Sequence, residues 1–185
     1  MRSKSTARIF WSAFRPTDRS LTLSGNTFAI IGTGQSGGWT AKTLRDEGFE
    51  GRIILFGDEP YPPYERPPLS KEVLLGDQPP ESTYLWPDSS YDEWNVELRL
   101  ETRVAAISPT DHSLTLENGE TIGYDRLMIA TGGRARTLPI PGADLDGVHY
   151  LRTISDTLSI RAGISQGSGI FVVGGGWIGL EVAAA

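Results

Sequence analysis

Two G-x-G-x-x-G turns, each directly after a short apolar run, constrain this chain more than any other feature. Gly32-Thr33-Gly34-Gln35-Ser36-Gly37 follows Thr27 to Ile31 (TFAII) and precedes the helix formers of residues 39–47 (WTAKTLRDE). In such a turn the first glycine permits the sharp bend. The second lets the backbone approach a pyrophosphate, and the third lets helix and strand pack closely. The helix N-terminus adds free N–H groups and a positive dipole end. Asp58 lies 21 residues after Gly37, just past a second apolar run, Arg52 to Phe56. An acid there is placed to accept hydrogen bonds from an adenosine ribose. Taken alone, Asp58 is also readable as a loop acid in Gly-Asp-Glu; the strand, turn, helix and acid together argue for nucleotide binding. The second turn, Gly174, Gly176 and Gly179, follows Ile170 to Val173 (IFVV) and carries Glu181 in the next helix. The sequence stops at Ala185 inside that helix. A strand and half a helix do not complete a nucleotide site, so the expectation is a fragment.

Between the turns the pattern alternates. Hydrophobic runs predict strands at Val96 to Leu100, Val104 to Ile107, Ser113 to Leu116, Thr121 to Ile122 and Arg126 to Ala130, the last buried, as is the Ile170 to Val173 strand. Asn118-Gly119 predicts a hairpin turn. Residues 57–69 read as a Pro-rich loop, with Ser70 capping a short helix through Leu75, and Thr153 to Ile164 reads as a helix. A strand, Gly-rich turn and helix at both ends with a meander between predict a mostly parallel α/β sheet with an antiparallel insertion.

Composition excludes several functions. The 185 residues hold no cysteine, which removes a disulfide scaffold, a Cys-ligated zinc or iron–sulfur site and a cysteine nucleophile from this chain. His112 and His149 stand apart, so no metal site is expected. The net charge of −6 argues against general nucleic-acid binding. No apolar run reaches the 18 residues of a membrane span. Residues 1–26 carry Arg2, Lys4, Arg8, Arg15 and Arg19 against Asp18 alone. This basic, Ser/Thr-rich start lacks the apolar core of a secretory signal. It reads as a disordered extension or an upstream-start artefact, with an organelle-targeting peptide as the alternative, and the expected location is cytoplasmic.

The segment Tyr64-Glu65-Arg66-Pro67-Pro68-Leu69-Ser70-Lys71, after Gly57-Asp58-Glu59, resembles the flavin loop of FAD-dependent ferredoxin reductases. That family includes reductases of aromatic-ring dioxygenases, putidaredoxin reductase, rubredoxin reductases and the apoptosis-inducing factor. Tyr124 to Gly133 (YDRLMIATGG) resembles its second FAD signature. Leu138 to Gly142, Tyr150-Leu151-Arg152-Thr153 and Gly174 to Glu181 continue the match, which covers Phe28 to Ala185. The resemblance implies an FAD/NAD(P)-binding Rossmann-like parallel sheet with an antiparallel β-meander insertion. It divides the chain into an extension at 1–26, an FAD-binding part at 27–140 and the start of an NAD(P)-binding domain at 141–185.

It also implies site residues. The FAD pyrophosphate falls to Gly32, Gly34, Ser36 and Gly37, the ribose to Asp58 and the adenine to the backbone at Val104. Thr131 and Gly132 end the second FAD strand, and Arg152 reaches the FAD. NAD(P)H falls to Gly174, Gly176 and Gly179. Lys71 lies beside the isoalloxazine, and Glu181 is expected to meet it as an opposite charge. On the residues alone, Pro67-Pro68 fits a rigid loop, Lys71 a solvated charge, and Trp177 either a ring stacked at the flavin or an aromatic packed between sheet and helix. The implied activity is electron transfer from NADH through FAD to a [2Fe–2S] ferredoxin or a rubredoxin, and onward to an oxygenase. A non-enzymatic flavin-binding protein of the apoptosis-inducing-factor type, or an inactive truncated product, is the alternative.

Overall fold

The computed structural model describes residues 26–164 and 169–185. The basic start up to residue 25 lies outside the described residues.

Strand β1 (Thr27–Ile31) lies inside a parallel sheet, with β2 (Arg52–Phe56) on one side and β7 (Arg126–Ile129) on the other; β3 (Val96–Arg99) extends the sheet beyond β2. The registers run Phe28 to Ile53 and Ile30 to Leu55 on one side, and Phe28 to Arg126 and Ile30 to Met128 on the other. Side chains alternate between faces. Ile30, Ile53 and Leu55 pack with Ala41 and Leu44 of helix α1 (Gln35–Asp46), together with Tyr91 and Val96. Ala29, Ile54 and Phe56 pack on the other face against Leu114, Leu116 and Ile122. Those three residues belong to an antiparallel meander of β4 (Val104–Ser108), β5 (Ser113–Leu116) and β6 (Thr121–Gly123). A small sheet thus covers the face that a helix layer would otherwise cover, and both middle strands are buried on both sides, as their unbroken apolar runs require. The hairpin turn falls at Asn118-Gly119, where Gly119 has φ +88° and the Asn118 side chain accepts from the Glu120 N–H.

Four expectations are corrected. Residues 170–173 form no strand: Phe171 is 95% exposed and Val173 73%. A parallel strand exists only through hydrogen bonds to neighbours, and none of the described strands lies beside this run. β7 is not buried, because it pairs with β1 alone and leaves Ile129 59% exposed. Ser70 does not cap the short helix α2 (Glu72–Leu75); Lys71 holds the cap position, and Ser70 closes a 3₁₀ turn over Pro67–Ser70. Helix α1 also starts four residues before the expected residue 39, at Gln35, since Gly34 already serves as its N-cap. The short helix α3 (Ser89–Glu93) supplies Tyr91 to the core. Helix α4 (Ile154–Gly163) opens with a capping box between Thr153 and Asp156, and helix α5 (Trp177–Ala184) follows the second Gly turn.

Candidate functional site

The chain passes from β1 to β2 on one side of the sheet and places β7 on the other, so the strand order reverses beside β1. In an open α/β sheet, the carboxyl ends of the strands at such a reversal frame a ligand crevice. A cleft of about 800 Å³ lies there. It is lined by Gly32, Gly34 and Ser36 of the first turn, by Asp58 beyond β2, by Val104 at the start of β4, by Thr131 and Gly132 beyond β7, and by Arg152. Residues far apart in sequence therefore meet around one space.

The glycines of the first turn differ in what they permit. Gly32 has φ +114°, and a Cβ on it would lie 2.3 Å from the Ala130 carbonyl oxygen, so the turn presses against the end of β7. A Cβ on Gly37 would lie 1.9 Å from the Gly32 oxygen, which makes Gly37 a packing position rather than a cleft wall. A Cβ on Gly34 would meet nothing within 4 Å. Gly34 caps α1 without a side-chain hydrogen bond, and the first-turn N–H groups of a helix have no partners within it. The cleft floor thus offers a helix N-terminus and room for an anionic group.

The second turn copies the first. Gly174 has φ +115°, Gly176 caps α5 with nearly the φ and ψ of Gly34, and a Cβ on Gly179 would lie 2.3 Å from the Gly174 oxygen. The turn keeps its shape without a paired strand because its geometry is local. It does not line the cleft.

Lys71 and Glu181 also lie outside the cleft lining, yet they meet. Lys71 Nζ is 3.3 Å from Glu181 Oε1, and the Ser70 hydroxyl donates to Glu181 Oε2. The Ser70 hydrogen bond, and after it the Lys71 ammonium, hold the Glu181 carboxyl below the usual carboxylate range. This contact ties α5 to the 3₁₀ turn of the Pro-rich loop across 110 residues of sequence. Trp177, one turn before Glu181 on α5, is 85% exposed and packs between no sheet and helix here.

The cleft also contains charged residues to which the sequence reading assigned no role: Glu59, Arg66, Arg103, Arg134 and Asp156. With Asp58 and Arg152, four arginines face three acids, a balance that suits an anionic ligand. Arg66 stands inside the Tyr64 to Lys71 motif, but only the tertiary structure turns it toward Arg152.

A family model described as pyridine nucleotide-disulphide oxidoreductase matches residues 26–185. The chain belongs to this family. A probable ferredoxin reductase, CtmF, of Castellaniella defragrans is 45% identical over 155 residues, which cover 84% of this chain and 38% of that protein. Rhodocoxin reductase of Rhodococcus erythropolis is 45% identical over 86% of this chain and 37% of its own length. Among solved structures, the covalent putidaredoxin reductase–putidaredoxin complex aligns with a TM-score of 0.80 and 40% identity over 87% of this chain and 39% of that one. The chain thus spans about two fifths of the length of the relatives it matches. No cysteine accompanies the pyridine-nucleotide fold here, despite the disulphide in the family's description. No helix among the described residues is long and apolar enough to cross a membrane.

Proposed function

We propose that this chain carries the FAD site and the beginning of the NAD(P)H site of a reductase. That reductase moves electrons from a reduced nicotinamide nucleotide to a [2Fe–2S] ferredoxin or a rubredoxin serving an oxygenase. The observation that carries the reading is the cleft at the strand-order reversal, whose floor is a helix N-terminus without a side-chain capping hydrogen bond, beside the open face of Gly34. Its size falls within the range of small-molecule sites. The ferredoxin-reductase relatives support the choice of partner. Residues 27–140 form the FAD-binding part in this reading, and residues 141–185 begin the nucleotide domain. The expected setting is the cytoplasm, where nicotinamide nucleotides are available.

In this reading Gly32, Gly34 and Ser36 present the turn and helix end to the pyrophosphate, while Gly37 lets the helix pack close beneath them. Asp58 accepts from the ribose hydroxyls, and the backbone at Val104 faces the adenine. Thr131, Gly132 and Arg152 hold the far lip, where the Arg152 guanidinium offers a cation. Gly174, Gly176 and Gly179 supply the equivalent turn for NAD(P)H. When bound, the flavin supplies the redox chemistry that side chains lack, taking two electrons as hydride and giving them up singly. Lys71 contributes a cation that Glu181 orients, while Ser70 holds the second oxygen of that carboxylate. A fixed positive group of this kind stabilises negative charge that develops near it without having to reorganise.

The test is reconstitution of the full-length protein with FAD. The expected result is one bound flavin per chain and NADH-dependent reduction of a [2Fe–2S] ferredoxin. Failure to retain flavin, or flavin bound without any transfer to ferredoxin or rubredoxin, would overturn the reading.

A further inference from the structure

Arg152 is held on both sides of its backbone. Its N–H donates to Asp156 Oδ2 at 2.9 Å, beside the capping box that starts α4. Its carbonyl accepts from Arg66 Nη1, which comes from the Pro-rich loop 86 residues earlier. Its guanidinium reaches the end of β7: a Cβ on Gly132 would sit 3.7 Å from Arg152 Nη2. Arg152 therefore bridges the start of α4 and the end of β7 across one lip of the cleft.

Arg66 is itself aligned by two residues outside the glycine turns. Tyr64 Oη accepts from Arg66 Nη1 at 3.1 Å and donates to Glu59 Oε2 at 2.6 Å. Glu59 Oε1 accepts from Arg66 Nη2 at 3.2 Å. The Arg66 guanidinium also lies 5.0 Å from the centre of the Tyr64 ring, within cation–π reach. Tyr64 is buried, in a cluster with Leu69, Val73 and Ile154, the first residue of α4. Burial and the neighbouring Glu59 raise the Tyr64 pKa well above its ordinary value, so the hydroxyl stays protonated and can keep donating to Glu59. Arg66 Nη1 and Nη2 donate to Tyr64 and Glu59 within this small network, and Nη1 reaches out of it to the Arg152 carbonyl. A long arginine side chain loses much rotamer freedom when it is ordered. Fixing its own peptide beforehand reduces what remains to be ordered on binding.

We propose that Glu59 and Tyr64 are positioning residues of the dinucleotide site, orienting Arg66 so that its grip on the Arg152 carbonyl sets the Arg152 guanidinium over Gly132 toward the anionic part of the cofactor. This rests on the FAD reading above. The competing role is structural: the same contacts could serve only to fold the Pro-rich loop.

The experiment is FAD titration of the full-length apoprotein, followed by flavin fluorescence, with the apoprotein melting temperature measured in parallel. The variants are Tyr64→Phe, which keeps the buried ring, Glu59→Gln, which keeps the side-chain shape, Arg152→Ala, and the double variants. Tyr64→Phe and Glu59→Gln are each expected to weaken FAD binding about 3–10-fold, the scale of a lost charge-assisted contact. The apoprotein melting temperature is expected to stay within about 2 °C. In the Arg152→Ala background neither change is expected to matter by more than about twofold, because its route of action is gone. Additive losses, or a fall in melting temperature with FAD affinity intact, would overturn the proposal. A wild-type protein that takes up no FAD would instead overturn the reading beneath it, so the two failures are distinguishable.

Discussion

Gly34 and Gly37 stand three residues apart in one turn, and the structure assigns them opposite sensitivities. A methyl group on Gly37 would lie 1.9 Å from the Gly32 oxygen and 3.2 Å from Leu55 Cδ1. Leu55 is fully buried and the oxygen is backbone, so relief requires α1 to move off the sheet. Overpacking of this kind costs about 1–3 kcal/mol, and a backbone clash falls at the upper end. For a domain of this size that corresponds to a drop of about 5–10 °C in melting temperature. A methyl group on Gly34 meets nothing within 4 Å, and Gly34 has φ −75°, which any residue adopts. Exchanging Gly for Ala at an N-cap costs about 1 kcal/mol. The methyl would, however, occupy the space above the α1 N-terminus. Losing one charge-assisted hydrogen bond from a pyrophosphate there corresponds to about 1.5–3 kcal/mol, or roughly 10–100-fold in affinity. The assay pairs thermal melting of the apoprotein with FAD titration for Gly34→Ala and Gly37→Ala in the full-length protein. The expected pattern is a split: Gly37→Ala melts early, while Gly34→Ala melts near wild type and binds FAD poorly. Wild-type FAD affinity in Gly34→Ala would refute the assignment of that space to the pyrophosphate.

Three further outcomes follow from the contacts. Arg45 donates to the carbonyls of Phe49, Gly51, Trp94 and Asn95, so Arg45→Ala should destabilise the fold by about 2–4 kcal/mol in denaturant melts while FAD affinity per folded molecule stays unchanged. Glu181 has a depressed pKa, so its latch to Ser70 and Lys71 adds stability that is full above the unfolded carboxyl value of about 4.3 and is lost as pH falls through the folded value; proteolysis of α5 should rise only in that acid range, and Glu181→Gln should flatten the dependence. Trp177 is 85% exposed, so Trp177→Ala should leave the melting temperature within about 1 °C and show its effect in NADH affinity or hydride-transfer rate; a large melting loss with unchanged kinetics would point to packing instead.

The two Gly turns were legible in the sequence because their requirements are local. A φ near +115° at Gly32 and Gly174, and the missing Cβ at Gly37 and Gly179, follow from residues five apart or fewer, so the second turn forms even where no strand precedes it. The buried strands β1 and β2 were legible for a similar reason, since their unbroken apolar runs leave no face for water. Sequence alone could not decide what depends on neighbours. The IFVV run has the composition of a strand but no partner among the described residues, and β7 has the same composition yet lies at an edge. Nor could it decide what Ser70 does, because a hydroxyl suited to capping a helix serves equally to hold a distant carboxylate. The resemblance already paired Lys71 with Glu181, and the two stand 3.3 Å apart, but the path from Glu59 through Tyr64 and Arg66 to Arg152, which joins segments about 90 residues apart, carried no mark in the sequence. Such contacts are set by how loops leave the sheet and fold back over its carboxyl edge, and no periodicity in the chain encodes that geometry.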